Sequence, residues 1–210
     1  MRQKVMFIVP YALWIILFVV APLALIFYQS FFDINSHFTL ANYQDYLTSP
    51  TYLKMTLNSV WYAALITVVT LVISYPTAYV LTQLQNRQFW LLIVILPTWI
   101  NLLLKTYAFI GLFSRTGSIN QFLRFVGLGS HQLLFTDGSF MFVAAYIEIP
   151  FMVLPIYNAL IEINPSLLNA SKDLGATSWQ TFRRIVFPLS MPGVKAGIQA
   201  VFIPSLSLFM

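Results

Sequence analysis

Residues 5–32 of this chain carry no charged side chain, and neither do residues 55–86 or 196–210. Two further stretches, 89–113 and 139–161, hold one charge each, Lys105 and Glu148. A bilayer core of about 30 Å is crossed by roughly 20 helical residues, because lipid offers no partner to a free backbone N–H or C=O. Four of the runs meet that length. The last begins near Met191 and is uncharged from Ala196 to Met210. It gives only about 22 Å of helix and reads as a segment in which the chain stops inside the membrane. Composition agrees with spans rather than a soluble core. The chain is 59% hydrophobic and 8% charged, with a mean hydropathy of +0.79, where soluble domains carry about 25% charged residues. A soluble chain of 210 residues could not hide so much apolar surface from water. Ordinary soluble enzymes, disordered tails and nucleic-acid-binding domains are excluded. The net charge of +5 comes from 11 basic residues that are scattered, not clustered, so no nucleic-acid partner is expected. With no cysteine, disulfides, thiolate metal sites and cysteine nucleophiles are excluded as well.

Arg2 and Lys4 precede the first run as they would in a signal peptide. The run is far longer than the roughly 7–15 residues of a signal-peptide core, no small-x-small cleavage site follows it, and it reads as an uncleaved first span. Basic residues set the orientation. With the N-terminus inside, the inside segments hold Arg2, Lys4, Arg87, Lys172, Arg183, Arg184 and Lys195, and the outside segments only Lys54, Arg115 and Arg124. The N-terminus is therefore expected in the cytoplasm. Residues 33–54 and 114–138 become outside loops, the second with an amphipathic stretch from Asn120 to Val126. His37 and His131 stand alone in these loops and are assigned no role. The whole of 1–210 reads as one transmembrane domain whose longest inside segment is 162–192.

That inside segment carries the marks of ordered structure. Asn164 is a helix cap, Pro165 suits the first helical position, and Gly175 suits a left-handed stop. A second helix follows, with Thr177 and Gln180 at capping-box spacing and Pro188 expected to end it. Within it Trp179, Phe182, Ile185 and Val186 fall on one face, while Arg183 and Arg184 point elsewhere. Such a helix–glycine–helix is suited to docking on a soluble partner, or to lying at the lipid headgroups with its Trp and Arg.

The run from Asn169 to Pro188 resembles the EAA loop of ABC importer permeases, the binding-protein-dependent inner-membrane family. Its pattern is Glu-Ala-Ala, three residues, Gly, and a later Ile and Pro. Here Ala170, Gly175, Ile185 and Pro188 match, Asp173 lies in the spacer, and Asn169 and Ser171 stand where Glu and the second Ala are usual. Pro97-Thr98-Trp99-Ile100-Asn101 with Lys105-Thr106-Tyr107-Ala108, and Pro150 to Tyr157, are similar to the third and fourth spans of polyamine-type permeases, in particular the B-type permeases of spermidine/putrescine importers. The resemblance implies an all-α polytopic membrane helix bundle of the type I ABC importer permease kind, with five spans here and the family's sixth missing. It implies a bacterial inner-membrane permease that forms half of a translocation path, with no cofactor of its own. Its partners would be a second permease, two copies of an ATP-binding subunit that uses ATP and Mg, an extracytoplasmic substrate-binding protein and the lipid bilayer. Asn169, Ala170, Ser171, Asp173, Gly175, Trp179, Phe182, Arg183, Ile185 and Pro188 would then form the ATPase-coupling surface.

Glu148 and Lys105 are the ionisable residues well inside expected spans. An unpaired charge there costs about 2.5–3.5 kcal/mol on insertion scales, so each should face a pore, a partner or the other. Glu148 either pairs with Lys105, or meets the ammonium groups of a cationic substrate, or reaches an interface. Trp99, Asn101 and Tyr107 share the span of Lys105. Aromatic faces attract alkylammonium groups, which makes these three candidates for the substrate path, although such residues also serve as lipid-belt and packing residues. Pro97, Pro150 and Pro155 interrupt helical hydrogen bonding in spans three and four, as at hinges and sites or at simple packing kinks. Gly193 and Gly197 have the spacing for close helix contact.

No Gly-Lys pair occurs, so the chain has no P-loop, and it has neither a Gly-x-Ser-x-Gly nor a His-Glu-x-x-His motif. The sequence therefore reads as a transport subunit, not an enzyme. An intramembrane enzyme with Glu148 as acid or base lacks a second catalytic group, and a channel would leave the ordered inside loop without a purpose. For the cargo, a polyamine leads, with thiamine, iron and phosphonate as alternatives carried on similar scaffolds.

Overall fold

The computed structural model describes residues 2–33 and 37–208, with side chains from residue 8 onward. The side chains of Arg2 and Lys4, on which the orientation argument draws, and the terminal Met210 lie outside the described residues. Regular structure among the described residues is helical, apart from one isolated bridge between Phe32 and Phe38. The chain divides into two compact units, Met1–Leu57 and Asn58–Met210.

In the first unit, α1 (Arg2–Ile15) passes through a π turn (Ile16–Val20) into α2 (Ala21–Gln29). The stretch Ile8–Gln29 is long and apolar enough to cross a membrane. Pro22 is the second residue after the π turn. A proline ring crowds the carbonyl four residues back and cannot donate to it, and the wider turn in front of it makes room. The loop after α2 then folds on itself. Asn42, in α3 (Ala41–Thr48), donates through Nδ2 to the carbonyls of Ser30 and Phe32 at 3.0 and 3.1 Å. The ring of Phe31 packs on Phe27, Phe38 and Tyr43.

The second unit is built on three long helices: α4 (Pro50–Gln83), which starts in the first unit, α8 (Asp137–Ile161) and α11 (Phe187–Ser207). Along α4 the buried residues Ser59, Ala63, Ile66, Thr67, Thr70, Ser74, Ala78 and Leu81 recur at intervals of three and four, one stripe of a helix. Half of these are hydroxyl residues, and Thr67 and Thr70 satisfy themselves by donating to the carbonyls of Ala63 and Ile66, each at 2.7 Å. The core joins Ile66, Ala78 and Leu81 of α4 to Met152, Val153 and Ile156 of α8 and Val194 and Val201 of α11. Tyr75 and Ser190 share a hydrogen bond of 2.8 Å between α4 and α11. The most extensive helix contact is between α8 and α11. A Cβ at Gly193 would overlap the carbonyl oxygen of Pro155 and lie 2.5 Å from Cβ of Ala159, so the two backbones meet where the glycine spacing anticipates it.

Between α4 and α8 the chain forms α5 (Arg87–Ile95), a 3₁₀ turn (Leu96–Trp99), α6 (Leu102–Phe113) and α7 (Ser118–Phe125). The third span is thus broken instead of continuous, and the two apolar halves meet at 90°. The cause is local: Pro97 opens the 3₁₀ turn, Ile100 is extended, and Asn101 starts a new helix by accepting a hydrogen bond from the N–H of Leu103 at 2.8 Å. Phe109 and Phe113 of α6 then pack edge-on against Phe142 and Tyr146 of α8.

Two expectations are corrected at the far end. Helix continues without a gap from Ser178 to Ser207, so Pro188 does not end it. A second π turn (Phe182–Val186) precedes Phe187 and Pro188, the construction already met at Pro22. The last span is accordingly longer than the uncharged run from Ala196, since α11 alone gives about 31 Å of helix. Counted by length and composition, four helices of the described residues can cross a membrane, or five with the bent pair taken as one span.

Candidate functional site

The loop at 162–192 holds two short helices joined at a glycine. In α9 (Pro165–Asp173) the Asn164 side chain accepts from the N–H of Ser166, with Pro165 next to the cap. The end is a Schellman closure: Gly175 sits at φ +73°, its N–H donates to the carbonyl of Lys172, and the N–H of Ala176 reaches back to Ser171. In α10 (Ser178–Thr181) the Thr177–Gln180 capping box is complete on both sides.

Ser171, which departs from the usual alanine, has a use in this fold. Its hydroxyl, buried in the angle of the loop, donates to the carbonyl of Leu168 at 2.8 Å and shares a 2.9 Å hydrogen bond with Thr181 Oγ1. The two helices of the loop are therefore pinned to each other by a bond that alanine cannot make. Ser171→Ala and Thr181→Val are each expected to weaken the loop by about 1 kcal/mol. The double variant should be little worse than either, read as ATPase activity of the assembled transporter against temperature.

The aromatic face of this segment is divided, not uniform. Phe182 turns into the bundle, edge-on to Tyr75 and Tyr79, and Val186 is buried with it. Trp179 stacks on Phe182 from outside and remains 68% exposed. Ile185 is half-buried, while Asn169, Ala170, Asp173, Arg183 and Pro188 are exposed. The surface open to a partner is thus an exposed Trp among polar and charged residues.

In the membrane, Glu148 is 7% exposed on α8 and so faces the bundle. It makes no hydrogen bond or ion pair with any described residue, Lys105 included, which sets aside the Glu148–Lys105 pair. Trp99 and Tyr107 are 76% and 70% exposed, and Asn101 spends its side chain as the cap of α6. No hydrogen bond or ring contact among the described residues joins these three to Glu148.

Two anchoring residues escape a reading of the sequence alone. Asn120 is fully buried in the loop at 114–138, donating through Nδ2 to the carbonyls of Ser114 and His131 and accepting from the N–H of His131 at 2.9 Å. Its signal is faint: a polar residue on the inner side of the amphipathic α7. Asp137 begins α8 and accepts a 2.8 Å hydrogen bond from the hydroxyl of Tyr62, which fastens α8 to α4.

The long apolar helices, the broken third span and the glycine-closed loop at 162–192 fit the polytopic helix bundle expected of an ABC importer permease. No family model matches the chain. It is 36% identical over 206 residues to the spermidine/putrescine transport system permease protein PotB of Escherichia coli (strain K12), across 93% of this chain and 74% of that protein. It is 33% identical to the protein of the same name from Haemophilus influenzae, across 93% and 72%. The inner membrane ABC transporter permease protein YdcU of Escherichia coli (strain K12) is 32% identical over 192 residues, 84% of this chain and 60% of that one. The chain belongs to the family of spermidine/putrescine transport system permeases. Among solved structures, a bacterial ABC transporter involved in the import of the acidic polysaccharide alginate superposes with a TM-score of 0.78. It covers 92% of this chain and 69% of that one at 19% identity, a likeness of fold alone.

Proposed function

We propose that this chain is a permease subunit of an ATP-driven polyamine importer, making half of the translocation path beside a second permease. The observation that carries the reading is the 36% identity, spread over nearly the whole chain, to a spermidine/putrescine permease. The subunit sits in the bacterial inner membrane with its N-terminus in the cytoplasm, as the distribution of Lys and Arg favours. It holds no cofactor; ATP and Mg²⁺ belong to two copies of a separate ATPase subunit, which the loop at 162–192 meets. An extracytoplasmic binding protein delivers the cargo from the other side. A relative in fold has been seen as an alginate ABC transporter in complex with an alginate pentasaccharide-bound periplasmic protein, which supports that arrangement.

Glu148 is the group suited to a cationic cargo: a carboxylate buried in the bundle, with no cation among the described residues to satisfy it. Uptake of labelled spermidine by the assembled importer in proteoliposomes tests the function. Transport of thiamine or iron in place of spermidine would overturn the polyamine reading. In the same assay Glu148→Gln is expected to lower spermidine uptake about tenfold, one charge contact's worth of free energy, with the complex still assembled. Unchanged uptake would remove Glu148 from the path.

A further inference from the structure

A cavity of about 510 Å³ lies between the inner end of the helix bundle and the coupling loop, in the second unit. Its walls come from the end of α4, the start of α5, the end of α8, α9, and the π turn after α10. They divide by chemistry. Leu160, Ile161, Leu168, Phe182 and Val186 make an apolar wall, and Arg87 and Lys172 stand on the lining together with Tyr79 and Gln83. No Asp or Glu contributes to the lining. The side-chain polar atoms of Arg87, Lys172, Gln83 and Tyr79 make no hydrogen bond or ion pair with any described residue. Two free cations and two free hydrogen-bonding groups thus border one apolar recess.

That combination selects a ligand. A guanidinium forks onto phosphate oxygens, and an ammonium adds a point charge beside it. A soluble phosphate compound would satisfy the cations and leave the apolar wall wet. A zwitterionic lipid would bring its own ammonium to a place that already has two cations. An anionic phospholipid satisfies both parts, and basic recesses between membrane helices at the cytoplasmic level are where such headgroups bind. Arg87 opens the helix that follows α4, and Lys172 lies in the coupling loop, so both stand where the spans give way to the headgroup layer.

We propose that this cavity binds the phosphodiester headgroup of an anionic phospholipid, such as phosphatidylglycerol, through Arg87 and Lys172. The Tyr79 hydroxyl and Gln83 complete the polar side, and an acyl chain lies along Leu160, Leu168 and Val186. Because Lys172 belongs to the loop and Arg87 to the bundle, the bound lipid bridges the two and braces the coupling surface. The cargo plays no part in this site, so the inference stands apart from the polyamine reading.

Native mass spectrometry of the assembled importer with added phosphatidylglycerol or phosphatidylethanolamine tests it. Wild type is expected to retain phosphatidylglycerol roughly tenfold better than phosphatidylethanolamine. The variant carrying Arg87→Gln and Lys172→Gln should lose that preference, and the one carrying Arg87→Lys and Lys172→Arg should keep most of it. If the double glutamine variant does not assemble, each single glutamine variant is expected to show part of the loss. Equal retention of the two lipids by wild type, or undiminished preference in the glutamine variants, overturns the proposal. Excess soluble glycerol phosphate is expected to leave the lipid in place; complete displacement would assign the cavity to a soluble phosphate and overturn the lipid assignment.

Discussion

Replacing Gly175 by valine is expected to lower substrate-stimulated ATPase activity and uptake about tenfold, with membrane insertion unaffected. The glycine sits at φ +73°, and a Cβ placed on it would meet nothing within 4 Å. Space is therefore not at issue, and the whole effect comes from the backbone. A β-branched side chain in the left-handed region costs about 1–2 kcal/mol or more, and the Schellman closure of α9 depends on that region. A loop released from it populates the coupling geometry about tenfold less. Asparagine tolerates the left-handed region, so Gly175→Asn should retain most of the coupling. Wild-type coupling in the valine variant would show that the turn between α9 and α10 does not transmit ATP hydrolysis.

Gly193 should behave in the opposite way, through space instead of backbone. Gly193→Leu is expected to destabilise the packing of α8 on α11 by about 3 kcal/mol, the upper end of overpacking costs, and to abolish recovery of assembled importer after mild heating. The first atoms a side chain would meet are the Pro155 carbonyl and the Ala159 Cβ, neither of which can swing away. Gly197→Ala provides the contrast four residues on. There the nearest atom is Sδ of Met152 at 2.7 Å, the far end of a flexible side chain that can shift. Near-normal stability of Gly197→Ala beside collapse of Gly193→Leu is the expected pattern, measured as the thermal midpoint of the purified complex. Equal tolerance at both positions would mean that α8 and α11 are not packed backbone to backbone.

The parts of this fold legible in the sequence are those whose causes are local. The long apolar runs with at most one charge mark α4 and α8 because lipid solvation acts on every residue alike. Asn164, Pro165, Gly175, Thr177 and Gln180 mark the two helices of the loop at 162–192 because capping is settled within four residues. The misread places are those where two local rules compete. Pro188 carries a stop signal, yet helix persists because a π turn just before it absorbs the ring. Pro97 and Asn101 carry the signals of a break, but an apolar run extends across both and reads as a single span. The candidate path residues divide for a related reason. Hydrophobicity places Trp99, Tyr107 and Glu148 in spans without saying which face each occupies, and only Glu148 proves buried. Asn120 and the bond between Ser171 and Thr181 depend on partners brought near by tertiary folding.

The two π turns have a consequence for how the chain reads as a pattern. Each inserts one residue beyond the normal helical repeat, and one residue is about 100° of rotation on a helix. A wheel drawn through Phe182–Val186 at constant pitch therefore assigns α11 the wrong side by more than a quarter of a circle. That phase step lets one unbroken rod, Ser178–Ser207, turn Phe182 toward Tyr75 and Tyr79 at one end and Gly193 and Gly197 toward α8 at the other. The second half of the loop at 162–192 and the last span are thus segments of a single shaft, and a twist applied at Ser178 meets no break in the helix before it reaches the glycines.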